Sequence, residues 1–341
     1  MLENEYRFQT VGQALKNIRK IFKNGGIINS GREAEILLSY FLEMSRSEIY
    51  LNSDRVLKDI EKTQLEKKIQ QRIEKIPLQY ITKHQEFMGM DFLAEKGVLI
   101  PRPETEILVE EVIKKLKNYK CSNNSEVADL GTGTGVIAVS IAKFIENVII
   151  YATDISKIAL QTALKNALKH ECKDKIIFLQ GDLFDPFRGR IKKNSLDGIV
   201  SNPPYIDSYD FESLPPEIKD NEPKIALSGG IDGLDYYRKI IKRSPQYLKK
   251  NGFIALEVGL NQSKIVKELI NRENKFDQNI EIIKDYSGNH LLIDGSASRA
   301  IREGEGNTFY TKYGDLFSLL CIVLLGGFLA TTGGYHVRRT K

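Results

Sequence analysis

Residues 127–154 read VADLGTGTGVIAVSIAKFIENVIIYATD. An apolar run over 127–130 ends in three alternating glycines, Gly131, Gly133 and Gly135. A helical stretch over 136–145 follows, and then a second apolar run, 148–152, that closes on Asp154. Glycine lets a strand turn tightly into a helix and lets a ligand approach the backbone closely. Asp154 lies about 20 residues beyond the last glycine, where a strand-end carboxylate accepts hydrogen bonds from ribose hydroxyls.

The same alternation continues downstream. Residues 176–179, 199–200 and 253–258 read as further buried parallel strands, with helical stretches such as 158–167 between them. Strands alternating with helices predict an α/β fold built on a doubly wound, Rossmann-like sheet. Asp182 closes the third strand in FLQGD, placed to accept from the exocyclic amine of an adenine. The glycine spacing is GxGxG with Asp129 two residues ahead. Dinucleotide-binding turns use GxGxxG and hold a pyrophosphate at the helix N-terminus. S-adenosylmethionine has no phosphate to cradle, but it carries an ammonium group that an acid near Gly131 can bind.

The strand LDGIVS runs into Asn202-Pro203-Pro204-Tyr205. Ligands of open α/β sheets sit outside the carboxyl ends of the strands, so this tetrapeptide falls beside the cofactor. An amide or aniline-like nitrogen is a poor nucleophile because its lone pair is delocalised. The Asn202 side-chain oxygen and the Pro203 carbonyl can accept its two N–H hydrogens and aim it at a sulfonium methyl. The prolines fix the backbone and bring no competing N–H. Tyr205 offers an aromatic face for a planar amide or base.

Upstream, the periodicity changes. Val11, Leu15, Ile18 and Phe22 recur at helical spacing, as do Leu37, Phe41 and Met44, and then Leu65, Ile69, Ile73 and Ile76. Residues 1–76 are expected to form a helical, substrate-recognising domain. Residues 77–100 are expected to form a linker hairpin, and 101–294 the methyltransferase domain. The 50 basic and 45 acidic residues nearly balance and are interspersed, so no basic patch argues for direct contact with nucleic acid. Cys121, Cys172 and Cys321 are odd in number and far apart, and the four histidines are scattered. No metal is therefore expected, and a reducing cytoplasm fits.

DLGTGTG, Asp154 and SNPPYI together resemble the class I methyltransferases that modify amide and amino nitrogens. With LIPRPETEILVE (99–110) and EPKIALSGGIDGLDYYR (222–238), the chain resembles the N5-glutamine methyltransferases of peptide-chain release factors over residues 1 to about 294. The resemblance implies that Gly131, Thr132, Gly133, Thr134, Gly135, Asp154 and Asn202 contact adenosylmethionine. It also implies that Asn202, Pro203, Pro204 and Tyr205 hold the substrate glutamine of a class 1 release factor. Leu183 follows Asp182 where some relatives carry an aromatic residue, so apolar packing on the adenine is expected there. Pro101 and Pro103 stiffen PRPETE, which either caps a helix with its acids or covers the cofactor cleft. Gly229 and Gly230 mark a tight loop, at the surface or at the substrate mouth. Glu257, at a strand end, suits either a functional or a structural role. A nucleic-acid amino-methyltransferase acting on adenine or guanine shares NPPY and is the alternative reading.

The C-terminal residues 295–341 depart from this pattern. No Asp, Glu, Lys or Arg occurs over 316–337, a span long enough to cross a bilayer. GNTFYTKYGD ahead of it resembles the extreme C-terminus of apolipoprotein N-acyltransferases. A membrane anchor, a helix lying on the membrane or the protein, and a fusion across a gene boundary are the three readings.

Overall fold

The computed structural model describes residues 8–118, 124–273, 275–276, 280–284 and 290–294. Residues 1–7, Cys121, Cys321 and the whole of 295–341, with its uncharged span, lie outside the described residues.

The N-terminal helices are α1 (Val11–Asn24), α2 (Ser30–Leu42), α3 (Arg46–Leu51), α4 (Asp59–Ile73) and α5 (Leu78–Thr82). The apolar stripe of α1, Val11, Leu15, Ile18 and Phe22, packs with Leu37, Leu38, Leu65 and Ile69 in one core. Thr10 caps α1 by accepting from the Gln13 amide, and Ser45 and Glu48 form a reciprocal capping box on α3. Residues 77–82, read from sequence as linker, instead form α5, whose Leu78 and Ile81 join this core. The hairpin that follows is β1 (His84–Phe87) paired antiparallel with β2 (Met90–Leu93). Its Phe87 and Phe92 bury themselves in the next core, which seats the hairpin on the sheet domain.

Then come α6 (Thr105–Asn118), β3 (Ser125–Leu130), α7 (Val136–Phe144), β4 (Val148–Asp154), α8 (Lys157–Lys169), β5 (Ile176–Gln180) and β6 (Leu196–Ser201). Three short helices, α9 (Ser208–Glu212), α10 (Pro216–Lys219) and α11 (Lys224–Leu227), fill the connection to α12 (Asp235–Arg243). The described residues close with β7 (Leu248–Glu257), α13 (Ser263–Arg272), β8 (Ile280–Lys284) and β9 (His290–Asp294).

The seven sheet strands lie in the order β5-β4-β3-β6-β7-β9-β8. The first five are parallel, as their unbroken apolar runs predict. β9 pairs antiparallel with β7 on one side and with β8 on the other. Adjacent strand residues alternate between two cores. Val127, Val200, Phe253 and Ala255 face α6 and α7, while Ala128, Ile199 and Ile254 face α12 and α13. Helices thus cover both faces, which is the doubly wound arrangement. β3 has β4 on one side and β6 on the other, so the strand order reverses there. A crevice for ligands opens outside the carboxyl end of β3 at such a switch point.

Candidate active site

The turn after β3 occupies that crevice. Gly131, Gly133 and Gly135 all take positive φ, +73°, +56° and +82°, where an L side chain is strained. At Gly135 a Cβ would also meet the Ala163 Cβ at 2.9 Å, so α7 and α8 approach closely only because no side chain is there. The Gly131 and Thr132 amides both donate to the Thr153 carbonyl, pinning the turn to β4. Asp129 supports the turn from behind. Its carboxylate accepts from the Thr132 hydroxyl (2.6 Å) and the Ala138 amide (3.2 Å). Asp129 is fully buried and is not among the residues that line the crevice. Burial pushes its carboxyl pKa up to about 7, although the hydrogen bonds from Thr132 and Ala138 oppose the shift.

The crevice encloses about 1090 Å³ of empty space, its open mouth included. Gly131, Thr132, Gly133, Thr134, Asp154, Asp182, Leu183, Asn202, Pro203 and Pro204 all line it. The site residues read from the glycine turn, from two strand ends and from NPPY therefore converge. Gly135 stands just behind, as the helix-packing glycine. Asp154 accepts from the Gly133 amide (2.9 Å) and the Ser156 amide (2.8 Å). Its pKa is raised by burial, with those two bonds pulling the other way. Asp182 stands 3.5 Å from the Lys239 ammonium. Leu183 is buried with φ +48°, a left-handed conformation that costs a non-glycine residue roughly 1–3 kcal/mol.

PRPETE covers the crevice. Val98, Leu99, Pro101, Arg102 and Thr105 form part of its wall. The buried Glu222 of the EPKIAL segment accepts from the Ile100 amide (3.1 Å) and from Arg102 (2.5 Å), which clips the two segments together. A second hollow of about 550 Å³ is lined by Tyr205, Leu214, Ile218 and Leu227 and shares Arg102 with the crevice. Asn202, Pro203 and Pro204 border both spaces.

The two ends of the tetrapeptide, Asn202 and Tyr205, are held by hydrogen bonds. Ser201, just ahead, donates to the Leu130 carbonyl (2.6 Å) and ties β6 to β3 at the crevice. The Tyr205 carbonyl accepts from Gln262 (2.9 Å). The Ile206 amide donates to the Leu227 carbonyl (3.0 Å), and the Ile206 carbonyl accepts from the Gly229 amide (2.8 Å). A Cβ on Gly229 would stand 2.8 Å from the Pro204 carbonyl, so the GG loop closes on the tetrapeptide only as glycine. The Asn202 side-chain amide donates to the Thr105 hydroxyl (3.0 Å), and that hydroxyl donates to the Glu257 carboxylate (2.6 Å). The Tyr205 hydroxyl feels the charge of the same carboxylate. Its pKa is driven above the ordinary tyrosine value by burial and by the charge of Glu257.

Thr105 carries no signal in sequence beyond its place inside PRPETE, and Tyr236, which also lines the crevice, none beyond LDYYR. Both reach the site through tertiary structure. Glu257 takes a place in the site's hydrogen-bond network.

Two family models match the chain, the PrmC N-terminal domain over residues 13–82 and the Methyltransferase small domain over residues 103–213. A release factor glutamine methyltransferase of Moorella thermoacetica is 37% identical over 279 residues, 82% of this chain and 95% of that protein. One from Clostridium acetobutylicum is 40% identical over 257 residues, 75% of this chain and 87% of that protein. A solved protein-(glutamine-N5) methyltransferase (release factor-specific) of Alicyclobacillus acidocaldarius superposes with a TM-score of 0.36 at 31% identity, over 60% of this chain and 98% of that one. At such identity over four fifths of its length, the chain belongs to the release factor glutamine methyltransferase family.

Proposed function

We propose that this enzyme transfers the methyl group of S-adenosylmethionine to the side-chain amide nitrogen, N5, of the glutamine in the Gly-Gly-Gln motif of class 1 peptide-chain release factors. One observation carries the reading. Asn202, which borders both hollows, turns its NH₂ group to Thr105, leaving its oxygen as an acceptor. An oxygen acceptor there suits an N–H-bearing amide.

Adenosylmethionine, when bound, supplies an electrophilic methyl on a positively charged sulfur. Asp154 would hold the ribose hydroxyls, Asp182 the adenine amine, and Leu183 the adenine face. The Gly131–Gly135 turn leaves room for the rest of the cofactor. Asn202 Oδ1 and the Pro203 carbonyl would take the two amide hydrogens of the glutamine. That holds the nitrogen in line with the methyl and steadies the positive charge that grows on it. Tyr205 would pack on the planar amide. The work is orientation more than acid–base chemistry, and orientation alone supplies several kcal/mol.

The test is incubation with labelled adenosylmethionine and either a release factor or duplex DNA, followed by identification of the labelled residue. Label on the Gly-Gly-Gln glutamine is expected. Label on DNA and never on the release factor would favour the nucleic-acid reading.

A further inference from the structure

Thr105, Glu257 and Asn202 come from three distant parts of the chain, the start of α6, the end of β7 and the loop after β6. Thr105 and Glu257 are buried, each with under a tenth of its surface exposed. A threonine hydroxyl has one hydrogen, and a carboxylate can only accept. With that hydrogen committed to Glu257, the Thr105 oxygen can only accept from Asn202. An Asn side chain is nearly symmetric in shape and can sit either way round. Here the relay decides which end faces Thr105. The NH₂ end is turned to Thr105 and the oxygen is left for the crevice.

Resting on the glutamine-methylation reading above, we propose that Thr105 and Glu257 are positioning residues. Glu257 acts through the Thr105 hydroxyl to lock the Asn202 amide with Oδ1 toward the substrate nitrogen, and acts directly on Tyr205 at the other end of the tetrapeptide. Without the relay the amide is free to turn over. It would then present N–H to an N–H, which repels the substrate where it should be held. Glu257 thereby orders both residues of NPPY that contribute side-chain polar atoms. It lines neither hollow.

The test compares T105S, which keeps the hydroxyl, with T105V, which keeps the shape and loses it. T105V is expected to lower kcat about 100-fold, as a misplaced reacting group does, and T105S to stay within about threefold of wild type. In T105V kcat should fall far more than the KM for adenosylmethionine rises, because the relay acts on the orientation of Asn202. E257Q should behave like T105V, because a glutamine can offer N–H to Thr105 and reverse the relay. A second readout needs no acceptor substrate. In protein carrying ¹⁵N-asparagine, the Asn202 side-chain amide signal, assigned by its loss in N202A, should exchange with solvent about tenfold faster in T105V than in wild type or T105S, because a protecting bond is gone. If release factors prove not to be substrates, wild-type turnover on them fails while this signal still reports the relay. Unchanged exchange in T105V would overturn the proposal, as would full turnover in T105V or equal damage in T105S. If T105V does not fold, T105A takes its place. Loss of cofactor binding in both would show that the hydroxyl serves the fold alone and would also overturn it.

Discussion

Arg72, at the end of α4, places its guanidinium 3.1 Å from Glu217 in α10, and so joins the N-terminal helices to the loop that walls the second hollow. The same side chain is buried and grips Glu33 of α2 at 2.5 Å. Asn221 strengthens the join by donating to the Lys75 carbonyl (3.2 Å). The loop that walls the second hollow is therefore held in part from the helical domain.

Substituting Arg72 with methionine should loosen this loop. The stem still fills its space, but two carboxylates lose a shared cation, at a cost of about 1–3 kcal/mol. A lower melting temperature is expected, together with a raised KM for the release factor. Affinity for adenosylmethionine, measured by calorimetry, should stay as it was. A variant with normal KM for the protein substrate would detach the helical domain from substrate binding.

Asp154 is expected to carry cofactor affinity. It lines the crevice at the end of β4 and already accepts from two backbone amides. Asp154→Ala removes the ribose acceptor and also frees the Gly133 and Ser156 amides. Hydrogen bonds to a charged acceptor are worth roughly 1.5–3 kcal/mol each, so affinity for adenosylmethionine should fall by about 2–4 kcal/mol. Unchanged affinity in calorimetry would remove Asp154 from the cofactor site.

Much of this site was legible before any coordinates. Parallel strands buried on both faces read as plain apolar runs, so β3 to β7 and the turn between β3 and α7 stand out. NPPY falls at a strand end, and strand ends are where this fold puts ligands. What stayed hidden is what local spacing cannot encode. Asp129 sits two residues from Gly131, yet it points at the Ala138 amide of α7 and not into the crevice. Thr105 meets Asn202 across 97 residues and Glu257 across 152, and no short motif joins them. The antiparallel pair β8 and β9 is five residues per strand and interrupted by charge, as in IEIIK, too short a pattern to separate from loop.

Asn202→Ala should depress kcat by about 100-fold or more, since the oriented acceptor for the substrate N–H is gone. The fold should tolerate the change, because Asn202 is only half-buried and its backbone is held independently by its neighbours. Near-normal turnover would defeat the orienting role of this side chain. A melting temperature within a few degrees of wild type is the control that makes the comparison valid.

Asp129 predicts a pH dependence of stability. Its folded pKa of about 7 lies above the ordinary aspartate value, so the native state binds the proton more tightly than the unfolded chain does. The stabilisation this gives is complete below about pH 3.9, is lost as pH rises, and is gone above about 7. Asp129→Asn keeps an acceptor for Thr132 and Ala138 and cannot ionise. Thermal melts between about pH 4 and 7.5 should show a steeper loss of stability with rising pH in wild type than in D129N. Equal slopes would mean that Asp129 titrates in its ordinary range.

Among the described residues the sheet's last strand ends at Asp294, and where the chain is cut relative to that residue should decide the outcome. β9 lies between β7 and β8, with Ile254 opposite Asp294 and Glu257 opposite Leu291. It covers the edge of the strand that carries Glu257. The glycine turn, both strand-end acids and NPPY all precede it. The 279 residues matched to the Moorella thermoacetica relative span 95% of that protein. Deleting residues 296–341 is therefore expected to leave full activity, unchanged cofactor affinity and an unchanged melting temperature, compared with full-length protein in detergent. Cutting instead at residue 279 removes β8 and β9 and exposes the unpaired edge of β7, a surface that invites aggregation. That shorter protein should lose activity and melt early. If the 296–341 deletion behaved the same way, residues beyond Asp294 would belong to the fold, and the domain boundary would have to move.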